Sequence, residues 1–83
     1  MSFINIGFGN MVNSEKIYSI VGPDAAPVKR MVQSAKDNGL ATDGTCGRKT
    51  KSVLVMENNS IVLSALLPET IVLRIDTAKG DEE

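Results

Sequence analysis

The stretch from Gly44 to Met56, Gly-Thr-Cys-Gly-Arg-Lys-Thr-Lys-Ser-Val-Leu-Val-Met, constrains this chain more than any other. It joins a glycine-bounded turn directly to a strand-like apolar run, Val53 to Met56. Such a run needs a core on at least one face, and the glycines permit a tight reversal just before it. From Gly44 to Ser52 there is no acid, so Arg48, Lys49 and Lys51 leave the turn together. Three clustered cations suit a phosphate-rich partner. The same residues read equally well as a solvated loop of cations, and composition does not separate the two.

Around this stretch the chain has room for one domain only, at 83 residues. Its aromatic residues are Phe3, Phe8 and Tyr18, so a core of Val, Ile, Leu and Met is implied. The net charge of −1 argues against a broadly anion-seeking surface. The charge is unevenly placed, however: residues 1–80 hold nine cations against seven acids, and Asp81, Glu82 and Glu83 close the chain. The expected division is therefore a domain over residues 1–78 and an acidic tail over 79–83 lying outside the fold.

One cysteine and no histidine exclude an internal disulfide and leave too few soft ligands for zinc. A reducing, cytoplasmic setting fits this usage. The N-terminal residues lack a signal-peptide pattern, and no apolar run approaches the ~20 residues needed to span a membrane.

Taken in order, Phe3 to Phe8 alternates as a short strand, with Gly7 and Gly9 at a strand corner. After the break at Asn13-Ser14-Glu15, Lys16 to Val21 reads as a second strand. Strict alternation puts Ile17, Ser19 and Val21 on one face and Lys16, Tyr18 and Ile20 on the other. Apolar residues on both faces predict a subunit contact as well as a core. Asp24 is the expected N-cap of a helix with Pro27 in its first turn and Asn38-Gly39 at its end. Ala25, Val28, Met31, Val32 and Ala35 form its apolar stripe; Lys29, Arg30 and Lys36, on the opposite side, are read as a solvated face.

Leu40 to Thr42 reads as a brief extended segment. Val53–Glu57 and Ile61–Leu67 are expected to pair as an antiparallel hairpin about Asn58-Asn59-Ser60. Pro68-Glu69 opens a short C-terminal helix carrying Ile71, Val72 and Ile75, with fraying beyond Thr77. The predicted fold class is α+β, with small antiparallel sheets, a central helix and a short C-terminal helix.

For chemistry, no base stands near Cys46, and Asp24, Asp37, Asp43, Glu57 and Glu69 fall where caps and turns use acids. The chain is read as a non-enzyme that uses no cofactor, metal or small-molecule substrate. Cys46 is read as a reactive but non-catalytic thiol.

Several segments together resemble one family. They are Phe-Ile-Asn-Ile-Gly-Phe-Gly-Asn at Phe3–Asn10, Ser-Ile-Val at Ser19–Val21 and Ala-Pro-Val-Lys-Arg-Met at Ala26–Met31. Thr-Cys-Gly-Arg-Lys-Thr-Lys at Thr45–Lys51, Val-Met at Val55–Met56, and Leu-Ser-Ala with Pro-Glu-Thr within Leu63–Thr70 complete the set. In this order they are similar to the bacterial extracellular matrix regulators of the RemA family. The resemblance implies a LytTR-like DNA-binding regulator that forms a ring-shaped homo-oligomer and activates matrix or biofilm genes. It implies double-stranded DNA as partner, contacted by Arg48 and Lys49 in the turn and by Lys16 near the second strand. Lys51 joins them by its place in the basic turn. Lys16 and Lys49 stand where the family tends to have arginine, which keeps the charge but loses the planar fork. Cys46 stands where tyrosine is common. An interaction module that assembles without nucleic acid is the alternative. An RNA binder is disfavoured by the few stacking aromatics.

Overall fold

The structure, a computed structural model, describes residues 2–81. Its elements run β1 (Phe3–Asn5), β2 (Met11–Asn13), a 3-10 turn (Ser14–Lys16), β3 (Ile17–Val21), α1 (Ala26–Asp37), β4 (Ala41–Asp43), β5 (Ser52–Met56), β6 (Ile61–Ser64) and α2 (Pro68–Asp81). The class is α+β, as the pattern predicts.

The centre is a four-stranded sheet in the order β3-β5-β6-β4. β5 pairs antiparallel with both β3 and β6, whereas β4 lies parallel to β6. The sheet is therefore mixed, not antiparallel throughout. The reason is α1, which crosses one face and delivers the chain to the far edge, where Leu40–Thr42 read only as an extended segment. A helical crossover of this kind joins β3 to β4 as parallel strands of one sheet, and β4 thereby lies parallel to β6 as well.

Period-2 alternation along β5 divides the core in two. Val53 and Val55 face α1 and pack with Ile61, Leu63, Ala35, Val28, Met31 and Val32. Leu54 and Met56 face the other side, where β1 and β2 supply Ile4 and Val12, the loop after β1 supplies Ile6, and α2 supplies Ile71 and Ile75. Both sheet faces are thus covered within one chain. Apolar residues on both faces of β3 therefore do not by themselves require a subunit contact.

β3 departs from strict alternation. Its register with β5 shifts between Ile17 and Ser19, leaving Tyr18 without a partner and 80% exposed. A bulge of this kind returns Ile17 and Ile20 to the same side, and both pack on the Leu54 core. Ile20 is partly buried and packs on the core side of the sheet, not on the side of the exposed Tyr18.

Local ends differ from expectation in four places. The segment at Phe3–Phe8 is a strand only to Asn5, and its partner β2 at Met11–Asn13 was not anticipated. The N-cap of α1 is Ala25 with no side-chain cap bond, so Asp24 does not cap the helix. β6 ends at Ser64 because its hydroxyl donates to Ile6 O (2.7 Å) and accepts from Leu66 N (3.1 Å), turning the chain. α2 continues past Thr77 to Asp81, and Ile75 and Ala78 both pack against the core along it. Glu82 and Glu83 of the expected acidic tail lie outside the described residues.

Candidate nucleic-acid interface

The basic turn begins where β4 ends. The Asp43 carboxylate accepts from Thr45 N (2.9 Å) and Thr45 Oγ1 (2.6 Å), which reverses the chain and buries Thr45. Those two hydrogen bonds, the side-chain one foremost, hold the Asp43 carboxyl below its usual range, with Lys36 adding a smaller pull in the same direction. Gly44 N donates to Leu63 O at 2.9 Å, and Gly44 O accepts from Asn10 Nδ2 at 3.1 Å. A Cβ at Gly44 would stand 2.9 Å from Leu63 O, so this approach of two backbones requires glycine.

The reversal itself spans Thr45 to Arg48, closed by Arg48 N donating to Thr45 O (2.9 Å). Cys46 and Gly47 have φ of +51° and +79°. Positive φ at both central positions matches a type I′ turn, which favours Asn or Gly first. Cysteine there is held in the left-handed region at a cost of about 1–2 kcal/mol. The far end is fastened by Lys51 N donating to Ser64 O (2.8 Å) and by the buried Ser52 hydroxyl donating to Leu66 O (2.5 Å). Anchored at both ends, the turn projects Arg48, Lys49 and Lys51, all exposed.

The Phe3–Asn10 segment supports this turn in a way the strand-corner reading missed. Asn10 Nδ2 bridges Gly7 O (3.0 Å) and Gly44 O, tying the 6–10 loop to the turn. The Arg48 guanidinium lies 5.6 Å from the centroid of the Phe8 ring. At an exposed site such stacking contributes about 0.5–1 kcal/mol and restricts the arginine's rotamers. No spacing rule links Phe8 to Arg48, forty residues apart; only the adjacency of loops in the fold does.

Lys16 is not part of the cluster. Its backbone O accepts from Glu57 N (2.8 Å), and its ammonium is 3.7 Å from the Glu57 carboxylate. Lys51 and Glu57 flank opposite ends of β5, six residues and roughly 20 Å apart in strand geometry. Within one copy the four predicted cations therefore split into a group of three and a distant, ion-paired lysine. Among the described residues, no group of side chains could hold a metal ion, and no helix is long and apolar enough to cross a membrane.

The fold and the turn together define a small α+β domain that displays cations from a hydrogen-bonded loop. A model of the RemA-like family, described as "Extracellular matrix regulatory protein A-like", matches residues 3–75, and the chain belongs to that family. A relative in Lachnoclostridium phytofermentans is 63% identical over 79 residues, covering 95% of this chain and 87% of its own. One in Dictyoglomus turgidum is 53% identical and one in Carboxydothermus hydrogenoformans 46%, each over 83 residues. Both cover 100% of this chain, with 98% and 95% of their own. All three bear the name "Putative regulatory protein".

Proposed function

We propose that this protein is a DNA-binding transcriptional regulator, and not an enzyme, that acts on extracellular matrix or biofilm genes as a homo-oligomer. The observation that carries the reading is the turn itself. Seven hydrogen bonds and one ring contact fix an acid-free loop whose protruding side chains are Arg48, Lys49 and Lys51. Fixing a loop of mutually repelling cations is worthwhile when an anionic partner meets them. The description of the family, "Extracellular matrix regulatory protein A-like", supports the matrix part of the reading.

Assembly is supported by a different surface from the one alternation suggested. Phe3, Met11 and Leu73 are more than half exposed, at 53%, 54% and 65%. Phe3 and Leu73 line a depression of about 390 Å³ between β1 and α2. Three phosphate contacts correspond to a salt slope of about −2.7, weak for a regulator. Repeating the turn around an assembly raises affinity without new chemistry, and a neighbouring copy can bring its Lys16 into reach.

Fluorescence anisotropy of a labelled duplex across a salt series tests the DNA reading. Arg48→Ala and Lys49→Ala are each expected to weaken binding and flatten the log–log slope by about 0.9 per copy engaged, with native circular dichroism. Unchanged affinity and slope in both variants rules it out. Light scattering after size-exclusion chromatography tests assembly: the parent should exceed the 8.9 kDa chain mass, and Leu73→Asp should reduce it. Ile20→Asp would not serve, because it places a charge in the Leu54 core.

A further inference from the structure

On α1, Lys29 and Lys36 lie two helical turns apart on one face, about 10 Å along the axis. Both side chains are exposed, but they do not stand alone. Both lysines line a groove of about 250 Å³ whose opposite wall includes Thr50 of the basic loop and Pro23. Thr50 and Pro23 also line the adjoining depression of about 240 Å³, together with Lys49 and Lys51. The two depressions share Thr50 and Pro23 in their walls, and together they make a trough from the loop's lysines onto the helix. No acid lines the helix portion; Asp24 lines the loop portion. Lys36 feels Asp43 only as the weakest of the influences on that carboxylate.

We propose that this trough is an extension of the DNA-contacting surface, with Lys29 and Lys36 holding backbone phosphates next to those met by Arg48, Lys49 and Lys51. The proposal rests on the reading of the basic turn as a DNA contact. Charge complementarity selects the occupant. Strand phosphates succeed each other every 3.4 Å of duplex axis, so a line of cations about 10 Å long matches a run of them. Val32, Val53 and Leu63 line the same groove, and apolar neighbours of this kind suit lysine stems whose ammonium groups reach outward to water or phosphate. Lys29 and Lys36, read from sequence as a solvated face, acquire a role because the fold brings the loop alongside them. Arg30, exposed on the same helix, does not line the trough.

The test is the same duplex salt titration applied to four variants of the full chain. Lys29→Gln/Lys36→Gln keeps helix-favouring side chains, so the fold should persist by circular dichroism. Two lost contacts lower the slope by about 1.8, so the parent's affinity loss between 50 and 200 mM salt shrinks at least about tenfold. Lys29→Arg/Lys36→Arg should restore the parent slope, and Arg30→Gln should leave it unchanged. A parent slope in Lys29→Gln/Lys36→Gln, with Arg48→Ala still impaired, overturns the trough while leaving the turn's role standing. An equal loss in Arg30→Gln also overturns it, by showing a diffuse field and not a contact. A parent with no salt-dependent binding overturns both readings.

Discussion

Replacing Gly44 by alanine should damage the protein more than any other single methyl addition near the turn. The new Cβ would sit 2.9 Å from Leu63 O and 3.3 Å from Asn10 Nδ2, the first contact being with backbone that has little freedom to withdraw. Relief requires β4 and β6 to part at this point, which strains or breaks the Gly44 N to Leu63 O bond and the Asn10 Nδ2 to Gly44 O bond. At about 1 kcal/mol net for each bond, the loss is about 2 kcal/mol before any strain is counted. In a domain of this size that lowers the melting midpoint by roughly 8–16 °C. Gly22→Ala is the control, since a Cβ there meets nothing within 4 Å. Thermal melts followed by circular dichroism, with duplex titration on the folded variant, provide the measurement. The turn's displacement should also weaken DNA binding although every cation remains. A midpoint for Gly44→Ala within about 2 °C of the parent would refute the claim that this close approach positions the turn.

Three further outcomes are expected. Cys46→Asn should raise the melting midpoint by about 4–8 °C, because asparagine suits the first central position of a type I′ turn and relieves about 1 kcal/mol; a lower midpoint would contradict that assignment. Glu57→Gln frees the Lys16 ammonium and should tighten duplex binding at low salt, with little change in stability; unchanged binding would remove Lys16 from the interface. The Asp43 carboxyl titrates below its ordinary value of 3.8 in the folded chain, so its contribution is present above that pH and lost as the pH falls below it; urea midpoints across acid pH should show this loss in the parent and not in Asp43→Asn.

Several features were legible because they are local. The α1 stripe is a 3.6-residue repeat, the β5–β6 hairpin is two apolar runs about a polar turn, and the Asn38-Gly39 stop follows the last apolar position. Arg48, Lys49 and Lys51 were legible as exposed because nothing apolar surrounds them in the chain. Tyr18 and Ile20 were misplaced by a rule that is also local: alternation assigns faces only while the register is unbroken, and a bulge breaks it without a sequence mark. Ser64 reads as an ordinary strand residue until Ile6 O arrives from 58 residues away to accept its hydrogen bond.

The sequence by itself determined the kind of protein this is: an aliphatic α+β domain with a basic, glycine-bounded turn, assembled from segments whose order marks the RemA-like family. Hydrophobic periodicity and turn chemistry carry that information within windows of a few residues. The tertiary structure alone decided which cations lie near one another. It set Lys16 against Glu57 at the far end of β5, stacked Arg48 on Phe8, and laid Lys29 and Lys36 beside Thr50. Charge clustering depends on distance through space, and that distance follows from which strand ends and loops share one end of the sheet. Strand order and helix crossover set it, and spacing along the chain does not.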